Sequence, residues 1–282
     1  TGRVYNNTYG VYLQSLTSGT DHYVGYAGIS LFYNNSNSNI WINNSNNIYI
    51  DLVNISGSNY GIYAINSNGL NLSKTGDTFI FNNSNGLYLS NVNNSNFVAD
   101  ATLNINNNTN NIVLIESNFN KFDYITVYGG SVGVNLTNSS DNNFTTSTIS
   151  NFTSYNLYLN NSNNNTFYNN YLENTSTGNL VSDDGINIWN TTYTCTGLGN
   201  NILGYACWGG NYWGNYTGAD LSGDGIGNTL LPYNNSGNIV TGGDSLPLTK
   251  NLAGCGTIVA DVTIVQNVSS NGTCFVVNAV NI

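Results

Sequence analysis

Charge is what this chain has least of. Only 6% of its 282 residues are Asp, Glu, Lys or Arg, against roughly 25% in ordinary soluble domains. Four basic residues, Arg3, Lys74, Lys121 and Lys250, stand against 14 acids, for a net charge of -10. So few cations cannot neutralise a run of phosphates, which excludes nucleic acid as a partner. They fail equally to hold an anionic membrane surface. No apolar run approaches the roughly 18 residues that a membrane-spanning helix needs. Ala, Leu, Glu and Lys are scarce beside Asn, Gly and the β-branched residues, which excludes a mainly helical fold. Met is absent and His22 is the single histidine. Without Met, the chain reads as beginning at a processed terminus, after removal of an export signal.

Apolar material is not lacking. Hydrophobic residues make up 40% and aromatics 12%, enough to form a core and exclude intrinsic disorder. They recur as one phrase: Tyr9-Gly10-Val11-Tyr12-Leu13, Tyr60-Gly61-Ile62-Tyr63-Ala64, Asn85-Gly86-Leu87-Tyr88-Leu89 and Tyr155-Asn156-Leu157-Tyr158-Leu159. From Ile62 to Leu87, Ile112, Val134, Leu157 and Leu180 the interval is roughly 22 to 25 residues, a solenoid period. A repeat this short cannot bury its apolar face alone and must lie against its neighbours. Period-two pieces such as Ile40-Trp41-Ile42 mark short strands. The Asn/Ser clusters between them mark turns, because Asn tolerates left-handed backbone. Stacked Asn side chains are also expected to hydrogen-bond in ladders from coil to coil. These features define an all-β, right-handed parallel β-helix of roughly eight coils, about 40 Å long at ~4.8 Å per coil. The triplet tyrosines are expected on its outer face, stacked in ladders.

Three regions follow. Residues 1–194 are the coils, residues 195–250 a closing region rich in Cys, Gly and Trp, and residues 251–282 an extension. In the extension, Thr257 to Val265 and Cys274 to Val280 alternate around Ser269-Ser270-Asn271-Gly272 and read as a C-terminal β-hairpin. Cys195, Cys207, Cys255 and Cys274 permit three pairings. Cys195–Cys207 and Cys255–Cys274 are expected, because each closes a short loop. Structural disulfides place the chain outside the cytoplasm, secreted or at the cell surface. Roughly twenty Asn-x-Ser/Thr sequons, including Asn6, Asn34, Asn43, Asn54, Asn82, Asn107, Asn151, Asn190, Asn215 and Asn271, point to N-linked glycans.

The closing phrase, Gly210-Asn211-Tyr212-Trp213 with Tyr216, Gly218 and Asp220, then Gly223-Asp224-Gly225-Ile226-Gly227-Asn228 and Pro232-Tyr233, resembles the close of NosD-type β-helices. These form the carbohydrate-binding and sugar-hydrolase repeat family common in archaeal surface proteins. Asn228 stands where the family's wording has Asp. The resemblance spans roughly Tyr5 to Leu248 and implies fold and export better than activity. The family's copper-linked member implies metal delivery, yet this chain offers soft copper few ligands.

The same loop reads independently as a calcium site. Asp220, Ser222 and Asp224 fall at positions 1, 3 and 5, the Ile226 carbonyl at 7 and Asn228 at 9. Leu231 occupies position 12, so Asp244 is called on to complete the shell. Asp183-Asp184 invites a glycosidase reading. However, neighbours on a strand point to opposite faces, and the Gly-His-Gly and Arg-x-Lys elements of β-helix hydrolases are missing. No catalytic set remains, so a non-enzymatic role is expected. The resulting reading is a glycosylated structural protein, the subunit of a cell-surface filament assembled by strand contacts between copies through the hairpin. The alternative is a carbohydrate-binding or polysaccharide-cleaving surface protein, with Asp183, Asp184 or Glu173 converging on exposed aromatics.

Overall fold

The computed structural model describes residues 2–17, 19–25, 28–73, 75–174, 178–196 and 199–278. Alternating apolar residues bury one side of each short strand, and the Asn clusters turn the chain before the run can lengthen. The chain therefore winds through three sheets in rotation. The first has nine strands, from Arg3–Tyr5 to Tyr212–Trp213, and the second nine, from Tyr9–Gln14 to Ile239–Thr241. The third has seven, from His22–Val24 to Thr166–Tyr168. The coils pair in parallel throughout, as in Ile62 with Leu87 and Ile80 with Ile105. This is the expected parallel β-helix. No helix among the described residues is long and apolar enough to cross a membrane.

In-register stacking builds the core. Ile40, Ile62, Leu87, Ile112, Val134 and Leu157 form one buried column. It ends at Val181, one residue beyond the Leu180 that the sequence interval suggests. In the third sheet the inward column becomes aromatic. Phe97, Phe122, Phe144 and Phe167 stack at 4.5, 4.4 and 5.2 Å, and Trp189 continues the stack at 4.8 Å.

The asparagines divide into two populations. Asn34, Asn44, Asn66, Asn82, Asn91, Asn107, Asn138, Asn161 and Asn164 hold positive φ and turn the chain, with exposed side chains. Their neighbours face inward and form the ladders. At one corner the Asn120 side chain donates to Asn142 Oδ1 at 3.1 Å, Asn142 to Asn165 at 3.0 Å, and Asn165 to Asn187 at 3.1 Å. Serines do the same beside them, with Ser117 N–H donating to Ser139 Oγ and Ser139 N–H to Ser162 Oγ. A tight turn leaves backbone groups that neither sheet can satisfy, and these inward side chains satisfy them.

The closing phrase is a cap built around one carboxylate. Asp244 is fully buried and accepts Asn211 N–H at 2.7 Å, Trp213 Nε1–H at 2.9 Å and Leu246 N–H at 3.0 Å. A Cβ at Gly210 would lie 1.8 Å from Asp244 Oδ1, so only glycine fits there. Asn211 also ends a ladder, its Oδ1 accepting from the Asn170 amide at 2.9 Å. Both expected disulfides form, Cys195–Cys207 and Cys255–Cys274.

Among the described residues the C-terminal hairpin is not found; Ala279 and Val280 of its second run lie outside them. Gly256–Ile258 pairs with Phe275–Val277 in parallel, as does Asn251–Leu252 with Thr263–Ile264. The disulfide explains why. Cys255 and Cys274 each immediately precede their strand, so bridging them ties the two strand starts together and sets Gly256 opposite Phe275. In a hairpin the start of one strand lies opposite the end of the other. The head-to-tail linkage expected of a hairpin loses its basis with it.

Candidate functional site

The outer face of the second sheet collects aromatic rings because its register aligns one triplet tyrosine per coil. Tyr12, Trp41, Tyr63 and Tyr88 occupy successive strands of one column. Strands lie about 4.8 Å apart, close to ring-stacking distance. Trp41 and Tyr63 stack at 4.3 Å, Tyr63 and Tyr88 at 5.2 Å, and Tyr12 and Trp41 at 6.1 Å. Tyr9 and Tyr60 meet these rings edge-on. The six rings extend over four coils, about 14 Å along the rod. Beyond Tyr88 the column continues with Val113 and Asn135, so the continuous ring stack ends there, and Tyr158 follows only after them. Burial against neighbouring rings raises the Tyr63 and Tyr88 pKa values, with adjacent phenols adding to the shift. These hydroxyls stay protonated at neutral pH and so can donate a hydrogen bond.

A second surface lies on the first sheet; sequence reasoning named its Glu173 but not the Tyr171, Tyr212 and Lys250 beside it. Tyr171 and Tyr212 stack at 4.5 Å, and Lys250 Nζ lies 5.5 and 5.2 Å from their ring centres. Tyr171 donates to Glu173 Oε2 at 2.7 Å. Burial, then the bond to Glu173, pushes the Tyr171 hydroxyl pKa well up. A cavity of about 240 Å³ lies nearby, lined by Asn174, Asn179, Gly214, Asn215 and Asn235 among others. Only the tertiary path from 171 to 212 to 250 joins these residues, so no local motif signals them.

The expected site residues separate. Asp183 is buried, in register with Leu159, and accepts Gly185 N–H at 2.9 Å and the Asn187 amide at 2.8 Å, ending a ladder. Burial raises its pKa against those bonds. Asp184 is exposed and accepts Asn161 N–H at 2.7 Å. The pair therefore points to opposite faces, and neither acid joins Glu173. In the 220–228 loop, Asp220 accepts Ser222, Gly223 and Gly225 N–H at 2.9, 2.7 and 2.8 Å. Asp224 accepts Ile226 N–H at 2.9 Å and Tyr193 OH at 2.9 Å, and Asn228 Oδ1 accepts Leu221 N–H at 2.7 Å. Asp244 is directed into the cap, not at this loop. None of the ten sequon asparagines named above is buried, so a glycan on any of them leaves the inward ladders undisturbed.

The family model of the periplasmic copper-binding protein (NosD) matches residues 1–218. The chain belongs to the NosD family. No curated protein matches it. Among solved structures it is similar to the periplasmic alginate epimerase AlgG, at 16% identity over 89% of this chain and 49% of that one, TM-score 0.47. Mutant forms of AlgG match at 13% identity over 90% of this chain and 48% of that one, TM-score 0.46, and at 18% over 56% and 36%, TM-score 0.46. The chain thus spans at most about half the length of these structures, and the likeness shows the fold alone. The expectation of a non-enzymatic protein is withdrawn: the solved β-helices matched are those of an epimerase, and a shared fold neither excludes nor assigns an activity.

Proposed function

We propose that this is an exported carbohydrate-binding protein whose aromatic face on the second sheet lies along a neutral polysaccharide. The six-ring surface from Tyr9 to Tyr88 carries this reading. Tyr and Trp join an apolar ring face to a polar edge, matching a sugar's C–H faces and hydroxyls. A net charge of -10 repels polyanions and leaves neutral glycans favoured. NosD membership and two disulfides support an oxidising, extracytoplasmic location. Trp41→Ala and Tyr63→Ala are each expected to weaken binding to a neutral glycan about tenfold or more, read by isothermal titration calorimetry. Unchanged affinity in both variants rejects this surface. The Tyr171, Glu173 and Lys250 cluster offers a hydrogen-bonded carboxylate, a phenol and an ammonium for chemistry on such a chain. Reducing-end release that Glu173→Gln abolishes assigns cleavage there.

The copper that names the family does not fit these residues. Both cysteine pairs are disulfides, Met is absent, and no three His, Cys, Asp or Glu side chains gather among the described residues. Soft copper has no donor set here.

Calcium at the 220–228 loop is a separate proposal. Asp220 Oδ2 and the two Asp224 oxygens each accept a single hydrogen bond, which leaves each a lone pair for a hard cation. About 1 mM calcium is expected to raise the melting temperature by several degrees, and Asp224→Asn to remove the rise. Identical melts in calcium and chelator reject it.

A further inference from the structure

Each coil of a solenoid can be compared with its neighbours at the same position. After the second sheet, one residue per coil holds left-handed backbone: Ser15, Asn44, Asn66, Asn91, Glu116, Asn138 and Asn161. Before the third sheet the same is true of Asn47, Gly69, Asn94, Phe119, Asp141 and Asn164. After the third sheet, Tyr124 takes the position that Thr146 and Asn169 fill in the next two coils. Asn, Asp and Gly tolerate this conformation, whereas a bulky side chain is strained in it. One coil therefore places a large side chain at all three positions, Glu116, Phe119 and Tyr124, with φ of 50°, 58° and 57°, whereas Leu52 and Thr146 are single instances in other coils.

Burial does not offset the strain, since Phe119 is 60% and Tyr124 58% exposed. Strain of this kind clusters at ligand clamps and active sites. The two rings bracket the third-sheet strand Lys121–Asp123. Between them, Lys121 Nζ lies 3.6 Å from Asp123, and Thr145 Oγ1 donates to Asp123 at 2.7 Å from the next coil. Asn96 and Asn143 stand in register on either side of Lys121. Two exposed aromatic residues thus flank, at the two ends of the strand, a strip of ammonium, carboxylate, hydroxyl and amide groups.

We propose that this strip is a glycan-binding subsite, with Phe119 and Tyr124 as stacking platforms and Lys121, Asp123 and Asn143 binding sugar hydroxyls. It rests on the carbohydrate reading above and gives it a second, independent contact. A protein partner would want an apolar centre between the rings; here the centre is polar and the rim aromatic, which suits a sugar.

The test is the double variant Phe119→Asn/Tyr124→Gly, probed on a printed array of neutral oligosaccharides and by thermal melting. Array binding is expected to fall about tenfold or more, while the melting temperature rises about 2–4 °C from relief of strain. Wild-type binding that survives in the double variant overturns the subsite and leaves the carbohydrate reading intact. Failure of the wild-type protein to bind any array glycan overturns both. A double variant that melts below wild type shows the rings to be structural and overturns the subsite. So does a protein ligand captured in place of any glycan and lost in the variant.

Discussion

Asn165→Ala is expected to lower stability by about 3–5 kcal/mol, while Asn164→Gly, one residue away, changes it by less than about 0.5 kcal/mol. Asn165 is buried. Its Oδ1 accepts both the backbone N–H and side-chain amide of Asn142, at 2.9 and 3.0 Å. Its own amide donates to the Ser139 carbonyl at 2.9 Å and to Asn187 Oδ1 at 3.1 Å. Truncation leaves those groups unpaired away from water, the costly side of the hydrogen-bond balance. It also cuts the ladder before it reaches Asn187 and Asp183. Asn164, by contrast, is exposed at φ 55°, a conformation glycine adopts freely. Denaturant unfolding of both variants checks the contrast, and equal costs would sink the ladder account.

Acid is expected to stabilise the protein. Burial pushes the Asp244 carboxyl up to about 7 from an ordinary 3.8, against the bonds donated by Asn211, Trp213 and Leu246. Between those values the folded chain holds a proton that the unfolded chain releases. The contribution is therefore full below pH 4 and lost as pH rises through 7. Three pKa units correspond to about 4 kcal/mol, or roughly 10 °C in melting temperature. Asp183, raised by burial in the same direction, adds to the slope. Melting at pH 5 should exceed melting at pH 8, and Asp244→Asn should flatten the difference. A wild-type melting curve insensitive to pH in this range contradicts the assignment.

The coil architecture was legible because its signal is local. Ile40-Trp41-Ile42 or Leu87-Tyr88-Leu89 states its inward and outward faces within three residues, and the near-constant interval states that these faces stack. The outer Tyr and Trp ladder followed from the same rule. The disulfide pairs were readable from loop length, but the strand direction they impose was not. Thr257 to Val265 and Cys274 to Val280 alternate alike whether they pair parallel or antiparallel.

Sequence alone determined a charge-poor parallel β-helix with aromatic rings outside, since a period of two and a repeat near 23 residues leave the backbone few other arrangements. Only the tertiary structure decided which asparagine of each adjacent pair turns the chain and which enters a ladder. It alone buried Asp244 behind Gly210 and brought Tyr171, Glu173, Tyr212 and Lys250 together. Those outcomes depend on what the next coil, or a segment some eighty residues away, places against a side chain, and no local window of residues contains that information.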